Sequence, residues 1–150
     1  MDKAYSVLPC NGLDKYEGGI SKEAALQLSE HGECEIICPV FSRVADVKYG
    51  KIVDETSLIV IDGCATRCAS KMAAELGWKI SKRVLVRDEA KAAGVQICDS
   101  LRLDNKGTAL AADIAGRILA EGKEVTTAPA WSFYPDVLNY DTYQKDKFIF

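Results

Sequence analysis

The sequence predicts an α/β fold: a three-layer α/β/α arrangement, Rossmann-like, with a mostly parallel sheet of about four strands. Two observations carry this. Strand-like and helix-like segments alternate along the chain, which implies right-handed crossovers and a sheet covered on both faces. The segment Leu58-Ile59-Val60-Ile61 is a continuous apolar run ending in Asp62, the pattern of a strand buried on both sides. The 150 residues suit a single domain, 1–150, with one real core.

Residues 4–9 read as a first strand, followed by a glycine-containing loop and a helix over 21–31. Ile20, Ala24 and Leu28 share a face of that helix, Ser21 suits its N-cap, and Gly32 suits its end. Residues 35–38 form a second strand, and Pro39 suits the first turn of a helix carrying Val40, Phe41, Val44 and Val47 at helical spacing. Residues 58–62 are the third strand, and 65–77 a helix with Cys68, Ala69, Met72, Ala73 and Leu76 inward. A fourth strand covers 83–87, a short helix covers 88–93 and ends at Gly94, and a last helix covers 108–121 with Leu110, Ile114, Ile118 and Leu119 inward. The segment 122–150 differs: it holds Trp131, Phe133, Tyr134, Tyr140, Tyr143, Phe148 and Phe150 with little periodicity. It reads as a tail packed across its own domain, or as the contact of a homodimer, since aromatics are enriched at interfaces.

With 48% hydrophobic and 27% charged residues and a net charge of −3, the composition is that of an ordinary globular protein. It gives no reason to expect nucleic acid or an anionic membrane as partner. No apolar run is long enough to span a bilayer, and Met1-Asp2-Lys3-Ala4-Tyr5 is no signal peptide, so a cytoplasmic location is expected. Thiols stay reduced there. The six cysteines therefore call for metal, redox chemistry or burial rather than a disulfide framework.

Four of them fall at strand-to-helix junctions, on one edge of a parallel sheet. Cys10 follows the first strand, Cys38 ends the second, Cys64 follows the third, and Cys68 stands in the first turn of the next helix. Such edges, at the carboxyl ends of the strands, are where α/β sheets build sites. Cys64 and Cys68 are one helical turn apart, about 6 Å, within reach of one ion. Cys34 has the same spacing to Cys38, but along a strand that is about 13 Å, too far to share it. Cys98 follows an apolar patch and reads as buried or incidental. Helix N-termini lower thiol pKa values, which favours thiolates at the same four positions, and Arg67 adds positive charge. Any one cysteine taken alone reads equally well as a small buried hydrophobe.

Other motifs carry less. The loop in "CNGLDKYEGGIS", 10–21, has backbone N–H groups that suit an anion, but it is no Walker A motif, and Tyr16 stands where a cysteine-phosphatase loop has arginine. A turn using Gly18 and Gly19 is the simpler reading. The single histidine, His31, sits at a helix end, which disfavours a Ser-His-Asp enzyme. Asp62 and Asp88 both end strands and suit turn roles.

"IDGC" followed by Cys68, with single cysteines before it in "PCNG" and "ICP", resembles the DGC (Asp-Gly-Cys) domain family of zinc-binding proteins from bacteria and archaea. The resemblance covers about 5–121 and leaves the aromatic segment outside. It implies a small α/β domain whose chelating cysteines are Cys10, Cys38, Cys64 and Cys68, and it implies a metal but no reaction. The expected function is metal binding, with zinc in a four-thiolate site. The alternatives are an iron–sulfur cluster on the same thiolates, or a cysteine-dependent redox or sulfur-handling enzyme using Cys10 or Cys64. An interaction module dimerising through its aromatic tail is a further reading.

Overall fold

The computed structural model describes residues 4–10 and 12–122. Strands and helices alternate as expected: β1 Tyr5–Pro9, α1 Tyr16–Glu30, β2 Cys34–Ile36, α2 Asp46–Glu55, β3 Ser57–Asp62, α3 Cys68–Glu75, β4 Ile80–Leu85, α4 Val86–Ala93 and α5 Asn105–Gly122. A 3-10 turn at Phe41–Arg43 precedes α2. The strands form one sheet in the order β2-β1-β3-β4, and every pairing is parallel. The chain thus winds outward from β1 to β2, returns across β1 to β3, and continues to β4. The reversal puts a topological switch point between the carboxyl ends of β1 and β3.

The apolar run in β3 divides by strand alternation. Ile59 and Ile61 join Val7 in a core completed by Ile20, Ala24 and Leu28 of α1, by Val86 and Ala90 of α4, and by Leu110, Ile114 and Ile118 of α5. Leu58 and Val60 join Leu8 on the opposite face, beneath Tyr49 and Val53 of α2 and Ala69 and Ala73 of α3. These two cores make the expected three layers. A strand that must be apolar on both faces cannot show the alternation of a half-exposed one.

Several boundaries differ from the sequence reading. Helix α1 begins at Tyr16, not residue 21, so Gly18 and Gly19 lie inside a helix rather than in a turn. Both are there for space: a Cβ on Gly19 would meet Leu103 at 3.2 Å, and one on Gly18 would overlap the Gly12 carbonyl. Ser21 is therefore no N-cap; it is fully buried within α1 and donates to the Ile61 carbonyl. The helix expected after Pro39 is replaced by the 3-10 turn, and Val40, Phe41, Val44 and Val47 are all exposed. The inward residues of α2 are Tyr49 and Val53 instead, one helical turn apart. Helix α3 starts at Cys68 rather than 65, and Cys68 is exposed rather than inward.

Strand β4 begins three residues and ends two residues before its expected position, because Val86 begins α4 and turns into the core. Asp88 consequently sits in the first turn of α4, not at a strand end. Gly94 closes α4 at φ 68°, the left-handed conformation expected of a glycine stop. Helix α5 begins at Asn105 because Asp104 Oδ1 accepts the Gly107 amide at 2.9 Å. Asp104 also accepts from the Tyr16 hydroxyl at 2.6 Å, tying α5 to the start of α1. Burial and this bond push the Tyr16 phenol up to about 12. The aromatic segment lies outside the described residues.

Candidate functional site

The carboxyl ends of β1 and β3 are knitted together before either reaches a helix. The Cys10 amide donates to the Ile61 carbonyl at 2.8 Å and to Ser21 Oγ at 3.0 Å, while Ser21 Oγ donates to the same carbonyl at 2.7 Å. Gly63 follows Asp62 and lies against the first turn of α1, where a Cβ would stand 3.1 Å from the Gly18 nitrogen. Its carbonyl accepts from the Arg87 amide at 3.2 Å, and the Arg87 guanidinium reaches Glu17 at 2.7 Å. The Glu17 carboxylate, 4% exposed, is thereby neutralised.

Asp62 explains how Cys64 and Cys68 are presented. Helix α3 has Arg67 at its N-cap, in the left-handed region at φ 52°, with no side-chain cap of its own. Asp62 supplies the cap from the end of β3. Its Oδ1 accepts the amides of Ala69 at 3.0 Å and Ser70 at 3.2 Å, and its Oδ2 accepts from the Ser70 hydroxyl. A carboxylate at a helix N-terminus also matches the helix dipole. Burial nonetheless outweighs these bonds and pushes the Asp62 carboxyl above its ordinary value. Replacing Asp62 with alanine is expected to cost about 2–3 kcal/mol, since two amides and a hydroxyl lose their partner inside the protein. Urea denaturation of the metal-free protein checks this, and a loss under ~0.5 kcal/mol would refute the capping role.

Between these loops lies a cavity of about 330 Å³. Cys10, Cys64 and Cys68 all line it, together with the polar Lys15 and Thr66 and the apolar Pro39 and Met72. Of the sequence-predicted ligands, then, three line the same cavity. Cys38 is half-buried and does not line it, though its neighbour Pro39 does. Cys34 is buried in the core on the α1 side of the sheet, and Cys98 is exposed. His31 is the exposed C-cap of α1. As the side chains stand, no three of His, Cys, Asp and Glu among the described residues converge closely enough to hold a metal ion.

The thiols are not equivalent. Burial works to raise Cys64, but hydrogen bonds from the Thr66 hydroxyl and amide, with the charges of Lys15 and Arg87, bring it below its ordinary value. Lys15 Nζ stands 3.9 Å from Cys64 Sγ. Cys10 goes the other way: burial raises it, the Gly63 and Gly12 amides offset this only in part, and the Cys68 and Asp62 charges raise it further. Sequence reasoning missed Lys15, Thr66 and the Glu17–Arg87 pair. Lys15 and Thr66 carried a local signal, as polar residues inside strand-to-helix connections. Glu17 and Arg87 are 70 positions apart and carried none.

A doubly covered parallel sheet with a topological switch point defines a Rossmann-like α/β domain, here with three cysteines lining the cavity at that point. The family model of the DGC domain matches residues 6–106, and the chain belongs to that family. No curated protein and no solved structure matches the chain. No helix among the described residues is long and apolar enough to cross a membrane.

Proposed function

We propose that the protein binds zinc, through Cys10, Cys64 and Cys68 on the cavity wall and Cys38 at the end of β2 as the fourth thiolate. The observation that carries this reading is the meeting of three thiols on one cavity at the switch point, from positions up to 58 residues apart in sequence. The donor set fits the ion by chemistry, because thiolates select zinc and other soft metals. Binding would draw the side chains together from their present arrangement. The fold has two apolar cores that need no ion, so the zinc is read as exchangeable cargo rather than a structural pin. Cysteines that form no disulfide among the described residues suit a reducing, cytoplasmic setting.

Metal analysis of protein purified without oxygen tests the reading, and iron with sulfide in place of zinc would favour the iron–sulfur alternative. Cys34→Ser and Cys98→Ser are each expected to leave the zinc content unchanged, because Cys34 pairs with Tyr5 at the far edge of the sheet and Cys98 is outside the cavity. Cys38→Ser is expected to weaken zinc binding. Loss of zinc in Cys34→Ser with full retention in Cys38→Ser would show that the wrong cysteine of the pair has been chosen.

One observation favours a second reading, a thiol enzyme acting through Cys64. A thiol lowered by Thr66, Lys15 and Arg87 is a nucleophile as well as a ligand. Selective alkylation of Cys64 in protein that takes up no metal under any condition would move the assignment there.

A further inference from the structure

The cysteine cavity leaves one guanidinium of the sheet unaccounted for. Arg83 stands on β4, the edge strand, in register with Val60 of β3. Val60 belongs to the core beneath α3, so strand alternation puts Arg83 on that face of the sheet, with Asp62 two positions further along β3. The Nε of Arg83 is buried and has no hydrogen-bond partner among the described residues. A buried donor without an acceptor is costly, so this one calls for a partner. Arg83 lines a recess of about 10 Å³ together with Asp62, Arg67, Val84 and Leu85. That is close to the least space that holds one water-sized group. The recess therefore admits a single oxygen. Both arginines are only half-buried, which leaves the rest of a ligand room outside.

The charges indicate which oxygen. Two guanidiniums and one carboxylate line the recess, and the carboxylate is committed to α3: Asp62 Oδ1 accepts from two amides and Oδ2 from the Ser70 hydroxyl. Burial holds the Arg83 guanidinium below its ordinary value; the Asp62 charge opposes this, and the Arg67 charge adds to it. Two guanidiniums that work against each other are reconciled by an anion between them. A water would give Nε an acceptor but no charge. Arginine presents planar, charge-assisted donors that match the oxygens of phosphate and its analogues.

We propose that Arg67 and Arg83 form a binding site for a phosphate or sulfate group, one oxygen of which enters the recess and accepts from Arg83 Nε, while Arg67 supplies the second positive charge. The site is distinct from the cysteine cavity, although one connection serves both: Thr66 and Cys68 line the cavity, and Arg67 between them lines the recess. It does not depend on zinc.

The test uses the full chain labelled with nitrogen-15 and follows the Arg83 Nε–H signal by NMR during titration with sodium phosphate, sodium sulfate and sodium chloride at matched ionic strength. Phosphate and sulfate are expected to move that signal saturably and to bind about tenfold more tightly than chloride, the effect of one charge-assisted contact. Arg67→Gln, read by the same signal, should weaken phosphate about tenfold. Arg83→Lys keeps the charge and removes Nε, and should weaken it as much, read by the backbone amides of Val84 and Leu85. Methyl phosphate separates the sources: binding equal to that of the free ion supports a site for a phosphorylated molecule, and weaker binding supports one for the free anion. A shift that never saturates, an equal response to chloride, or wild-type affinity in both variants would overturn the proposal. So would an Nε–H signal that phosphate leaves unmoved and that exchanges magnetisation with a bound water, which would show that water alone fills the recess.

Discussion

Cys64→Ser is expected to abolish the proposed zinc binding, the largest functional effect of any single substitution in the cavity. Serine keeps the size and removes the soft donor. Its hydroxyl stays protonated at neutral pH, so it offers zinc neither charge nor polarisable sulfur. Cys64 is also where the protein concentrates its thiolate-favouring groups, since Thr66, Lys15 and Arg87 all act on this sulfur. Cys68→Ser should do less, because Cys68 is exposed. Metal content by plasma mass spectrometry checks the loss, with circular dichroism to show that the fold is kept. Full zinc content in Cys64→Ser would remove the four-cysteine site from consideration. Because zinc competes with protons for the thiolates, its affinity should fall as pH drops.

The sheet, its parallel pairing and the edge on which the cavity lies were legible from alternation and from one apolar strand. They follow from short-range patterning, which a sequence displays directly. The placement of Cys10 and Cys64 was legible for the same reason: each is the first or second residue after a strand, and the crossover rule sends all such positions to one edge. Cys38 obeys that rule too but stands off the wall, because β2 ends at Ile36 and the chain turns through Pro39. What stayed hidden was decided by close approach. Nothing local distinguishes Gly18 as a helix residue, because helix propensity argues against it and only the packing of Gly12 requires it. Val40, Phe41, Val44 and Val47 have the spacing of a buried helix face, yet they are exposed while Tyr49 and Val53 hold α2 to the sheet. The role of Asp62 was half visible. An aspartate after a strand suggests a turn, but its cap is delivered to amides seven and eight residues further on.

Gly18→Ala is expected to be the most damaging substitution for the fold around the site, although it adds a single methyl group to a helix. The new Cβ would stand 2.0 Å from the Gly12 carbonyl oxygen, 2.7 Å from its carbon and 2.9 Å from its Cα. All three are backbone atoms and cannot swing aside as a side chain would. Either the connection between β1 and α1 lifts off, or α1 shifts against the sheet. The first displaces Cys10 and Lys15, which that connection carries; the second disturbs Gly63, packed on the same turn of α1. The expected cost is about 3 kcal/mol, at the upper end for overpacking, together with a marked loss of zinc affinity. Gly116→Ala is the matching control. Gly116 lies within α5, and its Cβ would meet nothing within 4 Å, so alanine should stabilise there by about 0.5–1 kcal/mol through helix propensity. Urea denaturation of the two variants beside the wild type gives both signs in one experiment. If Gly18→Ala is as stable as the wild type, the tight apposition of Gly12 on α1 is not a feature of the folded protein, and the placement of Lys15 beside Cys64 loses its support.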